Sequence, residues 1–125
     1  MSVPHFKLVV IESPYRGEVD RNKAYLKLCF LDSIMRGEAP MASHKLYTDV
    51  LDDDDPNERK LGIELGFAWL RAADLVALYT DFGMSTGMYE CLRLIKNATF
   101  RVKFEMRKVD ADAIRSIINT GPEAA

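Results

Sequence analysis

The chain has 125 residues, of which 48% are hydrophobic and 29% charged, a composition typical of one globular domain and unlike that of a disordered segment. Seventeen Lys and Arg residues stand against nineteen Asp and Glu residues, giving a formal net charge of −2. A protein that grips nucleic acid through its phosphates normally carries a surplus of positive charge. We therefore expect no general DNA or RNA binding.

Two further classes are disfavoured by the sequence. No apolar run reaches the roughly 18 residues of a membrane-spanning helix, and residues 1–5 lack the basic and apolar segments of a signal peptide. We therefore expect a cytoplasmic protein without membrane contact. Cys29 and Cys91 form neither a disulfide framework nor a zinc-binding spacing with the histidines, so we predict buried, reduced thiols, no metal site and no cofactor.

The chain begins with a strand and a helix. Lys7–Ile11 is a run rich in β-branched residues, which predicts a strand buried on both faces. Ser13–Gly17 ends this strand because Pro14 cannot donate a ladder hydrogen bond. A helix is predicted from about Asp20 to Met35. Its apolar stripe is Leu26, Cys29, Phe30 and Ile34.

The middle of the chain predicts a short strand and a long helix. Ala39–His44 is an apolar segment that predicts a second strand, in which Pro40 requires the first position or an edge strand, and residues 45–51 add a helical turn or two. Asp55 is a favoured N-cap, with proline following at the first helical position and Glu58 placed to complete a capping box. The predicted buried stripe of this helix is Leu61, Leu65, Ala68, Trp69 and Ala72.

The last third predicts two more strand–helix units. Asp74–Thr80 is a second buried strand, and the loop Asp81–Gly87 leads into a helix. Phe100–Met106 alternates strictly between apolar and charged residues, which predicts an edge strand with one wet face. Asp110 caps a final helix. We assign one domain to residues 1–120 and a flexible tail to 121–125.

Strands that alternate with helices at this spacing indicate right-handed βαβ units around a parallel sheet. Such α/β sheets bind ligands outside the carboxyl ends of their strands. The segments that follow the predicted strands are Ser13–Gly17, Ser43 with His44, and Asp81–Gly87. We therefore expect any ligand site among these loops.

Several residues in or beside these loops have two interpretations each. Arg16 is placed to clamp a phosphate or is a surface arginine, and His44 is a ligand donor, a proton shuttle or a solvated loop residue. Ser85 and Gly87 precede a helix, where they either bind an anion or serve as N-cap and turn residues. Glu90 is either a nucleophile or base, or a first-turn glutamate favoured by the helix dipole.

Taken together, three segments resemble a known family. Ser13–Gly17 reads Ser-Pro-Tyr-Arg-Gly, Trp69–Asp74 precedes a strand, and Ser85–Glu90 follows it, a set similar to the nucleoside 2-deoxyribosyltransferase-like superfamily. That group includes deoxyribosyltransferases and deoxynucleoside 5′-monophosphate N-hydrolases. A closer resemblance, shared also by Leu51–Arg59, is to small members common in bacteriophage and prophage genomes. It covers residues 7–97 and implies a flavodoxin-like three-layer sandwich with a small, about four-stranded parallel sheet flanked by helices.

The resemblance also implies a chemistry. Active members cleave an N-glycosidic bond with a glutamate that attacks the anomeric carbon while a nearby aspartate assists the leaving base. Glu90 matches the nucleophile within the family's Tyr-Glu pair, and Asp81 is the candidate assisting carboxylate. In the hydrolases the glutamate comes six residues after the loop serine, which here is Cys91, and the usual aspartate position is Gly66.

The remaining implied roles are ligand contacts and partners. We expect a nucleoside or nucleotide ligand and a homo-oligomer, a dimer or larger. Phe82, Met84 and Met88 are then base-stacking or interface residues, or simply core. The candidate contacts with sugar, base or phosphate are Ser13, Tyr15, Arg16, Gly17, Asn22, Ser43, His44, Gly83, Ser85, Gly87 and Met88.

Three functional hypotheses remain open at this stage. The first is an N-glycosidase or deoxyribosyltransferase with Glu90 as nucleophile, which requires Glu90 to face Arg16 and Ser85 across one cavity. The second is a non-catalytic phage protein that binds or sequesters a nucleotide-derived signal or a NAD-related metabolite. The third is a structural or regulatory protein with a vestigial pocket.

Overall fold

In the computed structural model, which describes residues 4–97 and 101–119, a parallel sheet carries helices on both faces. The strands in this part of the chain are β1 (Lys7–Glu12), β2 (Glu38–Met41), β3 (Leu75–Tyr79) and β4 (Lys103–Arg107). The helices are α1 (Val19–Met35), α2 (Ser43–Thr48), α3 (Pro56–Ala72), α4 (Thr86–Asn97) and α5 (Ala111–Asn119). The strand order is β2-β1-β3-β4, and all pairs are parallel. The predicted three-layer α/β fold with four parallel strands is confirmed.

The sheet separates two hydrophobic cores because successive side chains of a strand point to opposite faces. Val9 and Ile11 of β1 lie with Tyr25 and Cys29 of α1, and α5 packs against the same cluster. The neighbouring residue Val10 lies instead with residues of α3 and α4. The second cluster comprises Val10, Leu70, Val76, Leu78, Met88, Cys91 and Ile95. Both strands predicted to be buried, β1 and β3, therefore pack on both faces.

A buried ion pair ties the two edge strands together beneath α1. The Arg107 guanidinium, at the end of β4, donates from Nη1 and Nη2 to the two carboxylate oxygens of Glu38 in β2, at 2.7 and 2.8 Å. Tyr79 donates to Asp32 of α1 at 2.6 Å, and Ser33 donates to Glu38 at 2.8 Å. The Arg107 hydrogen bonds hold the pKa of Glu38 below its usual value. These contacts fasten α1 to the sheet.

The start of α3 follows the sequence prediction closely. Asp55 accepts hydrogen bonds from the backbone N–H groups of Asn57 and Glu58, at 2.8 and 3.3 Å, and Pro56 occupies the first helical position. The capping box is not closed, because Glu58 accepts from the N–H of Asp52 instead of that of Asp55. The donor that Glu58 binds, the N–H of Asp52, belongs to the acidic turn before the helix.

Two glycines of α3 let α2 pack against it. A Cβ added at Gly62 would lie 3.6 Å from Leu51 Cδ1, and one at Gly66 only 3.0 Å from Ser43 Oγ. Trp69 donates its indole N–H to the Tyr47 hydroxyl at 2.7 Å, which extends the same contact. This side of α3 is therefore occupied by α2.

Three details of the predicted elements are wrong. β2 ends at Met41, and Ser43 and His44 begin α2 where a strand end was expected. Helix α3 buries Leu70 against the sheet, whereas Leu61 and Trp69 of the predicted buried stripe are 44% and 43% exposed. β4 is an edge strand, as predicted, but Phe104 and Met106 are exposed. Phe100 and the predicted tail 121–125 lie outside the described residues.

Candidate functional site

The carboxyl ends of β1 and β3 lie side by side, since these strands are neighbours in register from Val9–Leu75 to Glu12–Leu78. The segments that leave this edge are Ser13–Gly17 after β1 and Asp81–Ser85 after β3. The first turn of α2 begins directly after the adjacent strand β2. The topology thus brings together all three loops that the sequence analysis singled out.

The loop after β1 is held in place by Asn22. Its side-chain N–H groups donate to the carbonyl oxygens of Tyr15 and Arg16, at 3.0 and 3.1 Å, and its side-chain oxygen accepts from Arg21. Gly17 has φ of 90°, a conformation that favours glycine. Asn22 is 1% exposed, so its amide supports the loop rather than facing a ligand.

Arg16, predicted as a phosphate clamp, is paired with the acidic turn that precedes α3. Its Nε donates to Asp53 Oδ2 at 2.8 Å, and its Nη2 donates to the Asp53 carbonyl at 3.1 Å. Arg59 contacts the same carboxylate at 3.2 Å. The Arg16 side chain remains 58% exposed, so it lies at the surface of the carboxyl edge.

Asp81, the candidate assisting carboxylate, forms hydrogen bonds that hold parts of the fold together. Its carboxylate accepts a hydrogen bond from the Tyr25 hydroxyl at 2.5 Å and from the Val109 N–H at 3.0 Å. Phe82 stacks edge-to-face on Tyr25, and the Arg21 guanidinium lies 4.2 Å from the Phe82 ring centre. Burial and the Asp81 hydrogen bond raise the pKa of Tyr25 above its ordinary value. Asp81 therefore joins β3, α1 and the segment after β4.

The loop after β3 is organised as a helix start. Ser85 Oγ accepts a hydrogen bond from the Met88 N–H at 3.2 Å, which is the bond of an N-cap. Gly83 has φ of 82° and donates to the Thr80 carbonyl. Met88 is 1% exposed and belongs to the core between the sheet and α4, while Gly87 is exposed in the first turn. Met88 therefore packs in the core.

Glu90, the candidate nucleophile, lies on the outer surface of α4. Its carboxylate forms an ion pair with Arg93 one turn further on, and its side chain is 46% exposed. The hydrogen bond from Arg93 lowers the pKa of Glu90. The described hydrogen bonds of Glu90 are with Arg93, while Arg16 is hydrogen-bonded to Asp53 and Ser85 to the Met88 N–H. The role of Glu90 as a nucleophile stays a prediction.

A different carboxyl group lies partly buried at this edge. Glu12 is the last residue of β1, on the same face as Val10, and its carboxyl group contacts Cys91 of α4. Loss of solvation raises its pKa to about 7. Burial likewise raises the pKa of the Cys91 thiol, so this cysteine stays protonated at neutral pH. The resemblance places the hydrolases' glutamate at position 91, which is a cysteine in this chain. The carboxyl group at this place comes instead from Glu12 of β1, which contacts Cys91.

The two serines at this edge are both buried. Ser13, next to Glu12, is 4% exposed, and its hydroxyl has no hydrogen-bond partner among the described residues. Ser43 is 5% exposed and faces Gly66 of α3. Tyr15 is partly buried beside this site, and the side chain of His44 lies outside the part of the chain that can be described. Glu12 was missed in the sequence, although a charged residue that ends a buried strand is itself a signal.

A broad, open concavity of about 1230 Å³ lies at the opposite end of the sheet, where the strands begin. Two of its polar groups are engaged in the fold, since Asp74 accepts from the Leu8 N–H and Arg36 pairs with Asp32. The unpartnered buried hydroxyl lies at the carboxyl edge instead. We therefore place the candidate site there.

Metal sites, membrane-spanning helices and similarity to known proteins remain to be described. No group of His, Cys, Asp or Glu side chains within the described ranges is arranged to hold a metal ion. Among the described helices, none combines the length and apolar character needed to cross a membrane. A search of curated proteins found no match. A family model, described as a domain of unknown function (DUF7768), matches residues 7–105, and the chain belongs to this family.

Proposed function

We propose that this protein binds a nucleoside or nucleotide at the carboxyl edge of its sheet. The observation that carries the proposal is the Ser13 hydroxyl, which is buried and has no partner within the described structure. Leaving a buried hydroxyl unpaired costs roughly 1–3 kcal/mol, and native proteins rarely accept that cost without a reason. A bound ligand at this edge is the reason that fits the parallel sheet.

Two features support a nucleotide-like ligand. The Ser-Pro-Tyr-Arg-Gly segment, which resembles that of the deoxyribosyltransferase-like superfamily, begins with the serine whose hydroxyl is unpaired and carries an exposed arginine. The N-terminus of α4, with Ser85 as its cap, opens onto the neighbouring loop. Such a combination suits a ligand that has both hydroxyl groups and a negatively charged end.

Cleavage of an N-glycosidic bond is the catalytic form of this proposal. In that form Glu90 is the nucleophile and Asp81 the assisting carboxylate. The ion pair of Glu90 with Arg93 and the hydrogen bonds of Asp81 favour the alternative, in which a phage protein binds or sequesters a nucleotide-derived signal or NAD-related metabolite without turnover. We extend the proposal to the bacterial or phage-infected host cytoplasm, where such ligands occur.

Self-association is part of the same proposal. Leu61 and Trp69 of α3 are partly exposed, and Leu46 and Val50, within and just after the contacting helix α2, are 47% and 77% exposed. Exposed apolar side chains are typical of protein interfaces. We expect a dimer or larger homo-oligomer, which light scattering coupled to gel filtration measures directly. Replacement of Leu61 by Lys should then yield monomers.

The first experiment incubates the purified protein with nucleosides, deoxynucleoside monophosphates, NAD and cyclic nucleotide signals. Thermal stabilisation and release of free base are followed in the same samples. Stabilisation that grows with ligand concentration establishes binding. Base release that is lost in Glu90→Gln establishes the glycosidase, and binding without base release establishes a sequestering protein. No stabilisation and no base release with any of these ligands would overturn the proposal.

A further inference from the structure

Strand β4 lies at an edge of the sheet, and its outer side has no neighbouring strand in the described part of the chain. We infer that this edge pairs with β4 of a second copy of the protein, in antiparallel orientation about a two-fold axis through Phe104. The two sheets then form one continuous sheet. The inference does not involve the ligand, and it adds a second surface to the self-association proposed through α3.

The first argument is the direction of the backbone hydrogen-bonding groups of β4. The Thr80 N–H donates to the Arg107 carbonyl at 2.9 Å, so the backbone groups of Arg107 point towards β3. Because this direction alternates along a strand, the groups of Glu105 also point towards β3. Those of Phe104 and Met106 point outwards. Their N–H and C=O groups are therefore placed to bind a further strand.

The second argument is an uncovered row of apolar side chains. Phe104 pairs in register with Val76, which belongs to the apolar cluster on the side of the sheet that carries α3 and α4. Met106 pairs with Leu78 of the same cluster. Val76 and Leu78 are fully buried, whereas Phe104 and Met106 are 40% and 50% exposed. A two-fold axis perpendicular to the sheet places the apolar row of each copy beside that of the other.

The third argument is charge, which selects the register. Pairing centred on Phe104 sets Lys103 of each copy opposite Glu105 of the other, and opposite charges at facing positions stabilise a sheet. Pairing centred on Glu105 instead sets that carboxylate opposite itself, which is destabilising. Glu105 contacts Arg107 through one carboxylate oxygen, and its side chain is 46% exposed. Its second oxygen has no hydrogen bond among the described residues and is open to the lysine.

The strand pair is a small interface, because β4 has five residues. Small interfaces are typical of weak association. We therefore expect the Leu61→Lys protein, which is monomeric at the low concentration of gel filtration, to form β4 pairs at about 0.1–1 mM. In the wild type the same pairs join the units held by α3 into a larger assembly.

The test uses sedimentation equilibrium of the Leu61→Lys protein from about 10 µM to about 1 mM, so that the α3 surface does not contribute. In this background Lys103→Glu sets carboxylates opposite each other at both symmetric positions and should weaken pairing about tenfold. Glu105→Lys should do the same with two ammonium groups. An equimolar mixture of the two variants restores opposite charges and should pair within about threefold of the parent. Lys27→Glu, a matched reversal on an exposed part of α1, is the control.

Cysteine cross-linking tests the register. Facing residues of a hydrogen-bonded antiparallel pair have Cα atoms about 5.5 Å apart, which suits a disulfide. Phe104→Cys should therefore cross-link two copies under mild oxidation. The two positions 105 are displaced by two residues along the strands, so Glu105→Cys should not cross-link.

Each outcome bears on the inference. A Leu61→Lys protein that stays monomeric up to about 1 mM would overturn it, as would pairing that Lys103→Glu leaves unchanged. Cross-linking through Glu105→Cys but not Phe104→Cys would show the other register and contradict the charge argument. If Glu105→Lys fails to fold, Lys103→Glu and the Phe104→Cys cross-link decide. Failure of nucleotide binding leaves the β4 pairing standing, and absence of pairing leaves the proposed ligand site unaffected.

Discussion

Arg16 and Asp53 join the loop after β1 to the acidic turn before α3. The contact uses both the side chain and the carbonyl of Asp53, so it fixes the position of the guanidinium and also compensates its positive charge. The run Asp52–Asp55 thus has a second role besides starting a helix. Any phosphate that approaches Arg16 competes with a carboxylate already in place.

Removal of that carboxylate should strengthen phosphate binding. We expect Asp53→Ala to raise the affinity for a nucleoside monophosphate by up to about fivefold, since an exposed ion pair contributes up to about 1 kcal/mol. The affinity for the bare nucleoside should stay the same. Arg16→Ala should weaken the monophosphate alone. Calorimetry with the two ligands distinguishes these effects, and equal changes for both would show that Arg16 does not contact the phosphate.

The buried ion pair of Arg107 and Glu38 should make the free energy of unfolding depend on pH. Arg107→Met leaves the Glu38 carboxylate without its main partner, and we expect the free energy of unfolding at pH 7 to fall by about 3 kcal/mol. The pKa of Glu38 is lowered in the folded protein, so its contribution is complete above the ordinary value of 4.5 and is lost as the pH falls below it. Urea unfolding at pH 7 and pH 3 measures both effects.

Glu38→Gln provides the control for that experiment. This variant should be less stable than the wild type at pH 7, and the difference should shrink as the pH falls and Glu38 of the wild type becomes protonated. A difference that stays constant with pH would mean that the carboxylate contributes no charge-dependent stability. The exposed pair of Arg115 and Asp112 should show almost no effect when it is disrupted.

Asp81 should behave as a structural residue. Its carboxylate accepts from the Tyr25 hydroxyl and the Val109 N–H, so Asp81→Ala leaves both donors without a partner. We expect a loss of about 2–3 kcal/mol in the free energy of unfolding. Tyr25→Phe removes one of the two bonds and should lose less. A double-mutant cycle gives the coupling of the pair, and a stable Asp81→Ala protein that fails only in base release would support the catalytic role instead.

The two glycines of α3 form a matched pair. Gly62→Ala meets its neighbours at ordinary contact distances, so the better helix propensity of alanine should raise the free energy of unfolding by up to about 1 kcal/mol. Gly66→Ala places a methyl group 3.0 Å from Ser43 Oγ, and Ser43 must move. We expect little or no gain at Gly66 and a measurable loss of ligand affinity. Thermal unfolding of both variants checks this, and identical gains at the two positions would contradict the packing described for α2.

The sequence predicted the architecture because its strands are local signals. Continuous apolar runs around Val10 and Val76 can be buried only between two helical layers, and the helices between them enforce parallel pairing. The N-cap at Asp55 was also predicted, since capping depends on neighbours within three residues. These features needed no knowledge of distant contacts.

The chemistry of the edge depended on distant contacts and was harder to predict. Arg16 meets Asp53, and Tyr25 meets Asp81, across separations of 37 and 56 residues that no local pattern reveals. The exposed stripe of α3 has the same origin, because its glycines turn one side towards α2, and Leu70 and Phe67 pack against the sheet. Periodicity shows that a helix has an apolar side, and it does not show whether the sheet, another helix or a second chain covers it.

The hydrogen bonds between α1 and the sheet make the two faces of the sheet differ in how firmly their helices are held. Tyr25, Asp32 and Ser33 each bind a residue of the sheet or its loops, so α1 cannot lift without breaking several polar contacts at once. Helices α3 and α4 meet the sheet through an apolar cluster that has far fewer directional constraints. Glu12 faces this second side. We therefore expect α3 and α4 to yield before α1 does, and amide hydrogens in α1 and β1 to be the last to exchange with solvent.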